Sequence, residues 1–86
     1  MNVLDELREL LKAVLNIADN TMVRGQTKYN QLDRAIGKVI TFCSYCEFAD
    51  DKEANKALEM ISNYKQAIIG NGGKLQRAID RLSMDL

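Results

Sequence analysis

Apolar residues recur along this chain at steps of three and four, and no stretch alternates at steps of two. That is the period of an amphipathic helix, whose 3.6-residue turn brings such positions onto one face. Leu4, Leu7, Leu11, Val14 and Ala18 form the first stripe, and Val3, Leu10 and Ile17 widen it on one flank. Asp5, Glu6, Glu9, Lys12 and Asn16 take the other face. Asn2 is placed to cap this helix, and Asp5 then answers unpaired amides and the helix dipole. The pattern predicts a helix over 2–19, ended by the turn-prone stretch from Asp19 to Gln26.

Tyr29, Leu32, Ile36, Val39, Cys43 and Cys46 make a second seam with spacing 3, 4, 3, 4, 3. It predicts a helix over 28–48 with Thr27 as its cap. Asp50 followed by Glu53 has the arrangement of a capping box, so a third helix starts near 51. Its seam is Ala54, Ala57, Ile61, Tyr64 and Ile68, and the two alanines allow a neighbouring helix to come close. Gly70-Asn71-Gly72-Gly73 stops it, because glycine readily takes the left-handed conformation that ends a helix. Leu75, Ala78, Ile79, Leu82 and Leu86 mark a short fourth helix of about three turns.

Short connections between amphipathic helices favour antiparallel neighbours. The expected fold is all-α: a compact antiparallel, up-down-up-down four-helix bundle forming one domain over 1–86, with helices two and three side by side. The alternative is a three-helix core with the last helix docked across it or onto a partner.

Composition narrows the function. Twelve Lys and Arg balance twelve Asp and Glu, so the net charge is zero and nucleic acid is not an expected partner. No apolar run is long enough to span a bilayer, and the acidic, amphipathic opening Met1 to Glu6 does not read as a secretory signal. The expectation is a cytoplasmic protein without a membrane segment. The chain has no histidine, hence neither the commonest general base nor the commonest metal ligand. Asp50, Asp51 and Glu53 cluster at a helix start, where carboxylates cap. No enzymatic activity and no cofactor are expected.

Three features suggest chemistry or binding. Cys43-Ser44-Tyr45-Cys46 has the CxxC spacing, but it falls late in a helix, on the seam, with no second pair of ligands. Both thiols read as small core residues; a metal shared across a two-fold axis requires them to face outward. Next, the charge balance along the chain runs −2, +3, −3, +2 over 1–23, 24–46, 47–59 and 60–86. In an up-down bundle this collects Arg24, Lys28, Gly72, Gly73, Lys74 and Arg77 at one pole with two helix N-termini. Such a pole suits a phosphorylated small ligand, a nucleotide or cyclic dinucleotide, or an acidic partner protein, or else it is a solvated loop end. The stretch Gly70 to Lys74 follows a helix and precedes Leu75, so it is not the loop of a nucleotide triphosphatase.

Lastly, Ile40, Phe42, Cys43, Tyr45, Cys46 and Phe48 leave the end of helix two apolar nearly all round. Three of the five aromatic residues lie in this stretch, with Tyr45 and Phe48 directed away from the seam and Gly37 on the outer face. Gly37, Phe42, Tyr45 and Phe48 are thus the candidate partner interface, with coverage by helix four and a plain exposed patch as the alternatives. The leading expectation is a small regulatory module that acts by stoichiometric association, as a homo-oligomer, an inhibitor or an adaptor. Its size and neutrality suit small regulators of bacteria, phages and mobile elements. Capture of a phosphorylated small ligand at the basic pole is the alternative.

Overall fold

The helices begin where side chains satisfy their first amides. Asn2 Oδ1 accepts the Asp5 N–H at 2.9 Å and opens α1 (Val3–Asp19). Asp50 Oδ1 accepts the Glu53 N–H at 2.8 Å and opens α3 (Asp51–Ala67), while Glu53 reaches back to the Ala49 N–H at 3.3 Å. Both caps occupy the positions that the sequence marks for them. The computed structural model describes residues 2–67 and 76–84, and every regular element among them is a helix. Ile68, Gly70, Leu75 and Leu86, assigned above to seams and a helix stop, lie outside the described residues.

The second helix departs from expectation at both ends. Thr27 is not its cap: α2 (Gly25–Tyr45) starts earlier, behind Arg24 in extended conformation, and no side chain caps it. Gly25 carries a φ of +64°, a left-handed conformation that suits glycine and strains other residues. At the far end Cys46 turns extended, with ψ 149°, so the helix stops at Tyr45 and does not run to 48. Phe48 therefore leaves the helical register. It folds back and packs against the core.

The last helix is α4 (Gln76–Met84). Lys65, in the last turn of α3, donates to Gln76 Oε1 at 2.6 Å, and Gln76 donates onward to Asp80 Oδ1 at 2.9 Å. This chain of hydrogen bonds ties the end of α3 to the start of α4.

Packing follows the width of the apolar stripes. Leu7, Leu11 and Val14 of α1 are fully buried, with Val3, Leu4, Leu10, Leu15, Ile17 and Ala18 partly buried around them. A stripe this broad seats two helices, and α1 packs against both α2 and α3. Ala54 and Ala57, both buried, present little bulk on α3 and permit a close approach. In turn, α4 packs against α2 and α3. Among the described residues α2 and α3 do not approach each other closely, which corrects the expectation that they are side-by-side neighbours. The radius of gyration, 12.7 Å, is near the ~12 Å of a compact chain of this length.

The core seam of α2 also shifts. Leu32, Ile36, Val39 and Cys43 are buried as the spacing implies, and Ala35 and Phe42 join them. Tyr29, at the head of the expected seam, stays 43% exposed. Contact on two sides, from α1 and α4, demands a wider buried face than a single heptad seam supplies.

A candidate partner-binding groove between α1 and α2

On α2, Gln31, Arg34, Lys38, Thr41 and Tyr45 follow one another at steps of 3, 4, 3 and 4, and all five are exposed. On α1, Glu6, Leu10, Ala13 and Ile17 follow one another at steps of 4, 3 and 4, with Leu10 and Ile17 partly buried. The two rows are the banks of an open groove. One stretch of it is lined by Leu10, Ala13, Ile17, Gln31, Arg34, Ala35 and Lys38. The adjoining stretch is lined by Glu6, Leu10, Arg34, Gly37, Lys38, Thr41, Phe42 and Tyr45. The two stretches share Leu10, Arg34 and Lys38, so they run into each other along the α1–α2 contact. From Gln31 to Tyr45 the groove extends about 21 Å at 1.5 Å per helical residue.

Its floor and most of its α1 bank are apolar, and its α2 bank is polar. Leu10, Ala35 and Phe42 lie at the bottom, where Ala35 and Phe42 belong to the buried core. Gly37 is half-buried, and a β-carbon there would meet no atom within 4 Å. Tyr45 closes one end, 66% exposed, its ring meeting the edge of Phe42 at 5.7 Å and 73°. The pair anchors an exposed aromatic on a buried one. Arg34 and Lys38 stand on the α2 bank and Glu6 on the α1 bank. Among the described residues neither Arg34 nor Lys38 takes part in a salt bridge; the ion pairs there, Arg8–Asp5 at 3.3 Å and Lys12–Glu9 at 3.6 Å, both lie within α1.

Of the four residues expected at a partner interface, Gly37, Phe42 and Tyr45 meet in this groove. Phe42 is 4% exposed, so it supports the surface from beneath and does not present its ring to a partner. Phe48 is corrected: it packs on its own core because the helix ends before it. Arg34, Lys38, Thr41, Leu10 and Glu6 also line the groove, and the apolar periodicity does not mark them as site residues. The 3, 4, 3, 4 spacing from Gln31 to Tyr45 is the signal that marks most of them, and it is hidden because that row is polar.

The residues of the expected basic pole have local roles. Lys28 Nζ donates to the Asn20 carbonyl at 3.2 Å. The last turn of α1 holds no basic residue, so Lys28 supplies the cation that its carbonyl end lacks. Arg24 Nε donates to the Thr21 carbonyl at 3.4 Å, while Asn20 Oδ1 accepts the Met22 N–H at 3.0 Å. Both cations thus fold onto the α1–α2 turn. Arg77 is exposed in the first turn of α4, and Gly72, Gly73 and Lys74 lie outside the described residues.

Neither Cys43 nor Cys46 forms a disulfide. Cys43 is buried, and burial, reinforced by neighbouring Cys46, pushes its thiol up to about 12. A thiol held that high is a poor nucleophile and a poor metal ligand. Among the described residues no group of three or more Cys, Asp or Glu is placed to hold a metal ion, and no helix is long and apolar enough to cross a membrane. Comparison with known protein families, with curated proteins and with solved structures finds no match.

Proposed function

We propose that the protein is a small non-enzymatic regulatory module that acts by stoichiometric association with another protein chain, through the groove between α1 and α2. The reading takes the four helices as a compact antiparallel bundle with α2 and α3 across the core from each other. One observation carries it: Tyr45 is two-thirds exposed at the end of an apolar-floored groove, braced on buried Phe42. Exposed aromatics backed by rigid apolar surface are what association interfaces use as anchors. The chemistry around it supports binding over turnover, since the chain has no histidine and its buried thiol is held protonated.

The test is positional crosslinking in cells that make the protein. A photoreactive phenylalanine analogue in place of Tyr45 should give one discrete adduct. The same analogue in place of Glu59, exposed on α3, should give none. Identical patterns from the two sites, or no adduct at Tyr45, overturn the reading.

A further inference from the structure

Resting on the groove reading above, we infer that the occupant is an acidic amphipathic helix of a different protein, with carboxylates on the flank that faces Arg34 and Lys38. The first argument is the mode of recognition. An extended peptide that docks by strand addition needs a sheet edge, and the described residues contain no strand. A groove between two helices, with banks spaced at threes and fours over about 21 Å, instead accepts a third helix of about four turns. Gly37 lies midway along the α2 bank with open space above it, so a helix backbone can approach there.

The second argument is charge. Arg34 and Lys38 flank Gly37, four residues apart on one face, and no salt bridge among the described residues uses them. The opposite bank holds Glu6. An occupant with carboxylates toward α2 and a neutral or basic residue toward Glu6 matches both banks, and only in one orientation. A second copy of this chain fits worse. Two grooves joined about a two-fold axis at Gly37 bring together Arg34 and Lys38 from each copy against only two Glu6 side chains. That leaves the contact with an excess of positive charge.

The test uses the full-length chain, isotope-labelled for NMR, and two designed peptides. Both are 14-residue helices with the same leucine and alanine face; one carries glutamate on its flank and the other lysine at the same positions. The glutamate peptide should bind about tenfold more tightly, the sum of two partly exposed ion pairs, and the preference should shrink in high salt. Its shifts should map to Gly37, Thr41 and Tyr45, and the preference should invert in the Arg34→Glu/Lys38→Glu variant. Equal binding of the two peptides, or a preference that survives charge reversal, overturns the inference and leaves the groove reading standing. If neither binds and light scattering shows a dimer that Tyr45→Glu dissolves, the occupant is a second copy; the inference falls and the groove reading stands. If neither binds, the chain is monomeric and the Tyr45 crosslink also fails, both fall.

Discussion

Phe42 and Tyr45 lie one turn apart on α2 with their rings in edge contact, yet the structure gives them opposite duties. Phe42→Ala removes a ring that is 4% exposed and leaves a cavity among Leu, Ile and Val side chains. Such truncations cost about 3–5 kcal/mol. A domain of this size has a total stability of roughly 5–10 kcal/mol, so the variant should lose about half of it. Tyr45→Ala is a different perturbation. Two-thirds of its surface is already in water, so the buried remainder, roughly 70 Å², represents less than about 2 kcal/mol of apolar transfer. Alanine's better helix propensity offsets about 0.5 kcal/mol of that. The net cost should be about 1 kcal/mol.

Urea titration followed by circular dichroism at 222 nm separates the two variants. Thermal midpoints give the same contrast, about 5 °C for Tyr45→Ala against more than about 12 °C for Phe42→Ala. In the peptide assay Tyr45→Ala should stay folded yet lose binding to the glutamate peptide. If Tyr45→Ala destabilises as much as Phe42→Ala, Tyr45 is part of the core and the groove is closed at that end. A near-neutral Phe42→Ala refutes the register assigned to α2.

The two described glycines should respond with opposite sign in urea midpoint measurements. Gly25→Ala forces a side chain into a left-handed φ and should cost about 1–2 kcal/mol, whereas Gly37→Ala, in open helical space, should add about 0.5–1 kcal/mol and weaken peptide binding. Lys28→Met removes the cation at the carbonyl end of α1 and should cost about 0.5–1 kcal/mol in low salt, less in high salt. The Cys43 thiol rises from 9.0 to about 12 on folding, so its contribution is intact below pH 9 and fades as pH climbs through 12. Cys43→Ala should therefore flatten the alkaline decline in stability by up to about 1.4 kcal/mol per pH unit between pH 9 and 11.

The helix starts at Asn2 and Asp50 were legible because a cap is a local device, a short polar side chain meeting an amide three residues on. The start of α2 was not. Its entry depends on Gly25 adopting a left-handed conformation, and Thr27 offers a better cap by composition than Arg24 does. The early stop at Tyr45 escaped for a related reason. Cys46 and Phe48 continue the apolar pattern, and nothing in their types announces that Cys46 turns extended so that Phe48 can fill the core. Pairing of helices is a property of whole surfaces, so the periodicity that defined the stripes of α1 and α3 did not say that these two meet. Of the groove, Gly37 and Tyr45 were visible as outward residues. Its basic bank was not, because nothing in the positions of Arg34 and Lys38 marks them until α1 is laid beside them.

The pairing that escaped the sequence is also what creates the candidate site. Helix α2 is flanked by α1 and α4 and receives no third helix from its own chain among the described residues. Two neighbours bury Leu32, Ala35, Ile36, Val39, Phe42 and Cys43, an arc that takes in two sides of the helix. The row from Gln31 to Tyr45 lies just beyond that arc, beside α1 but above the contact. The broad stripe of α1 takes two helices to close it, and α3, not α4, supplies the second. By docking on α1, α3 spends its small residues Ala54 and Ala57 on completing the core. The small residue Gly37 on α2 is left facing outward, between two cations and next to an exposed tyrosine. The buried face and the proposed binding face are different faces of one helix, so Phe42 and Tyr45, three residues apart, can be altered separately.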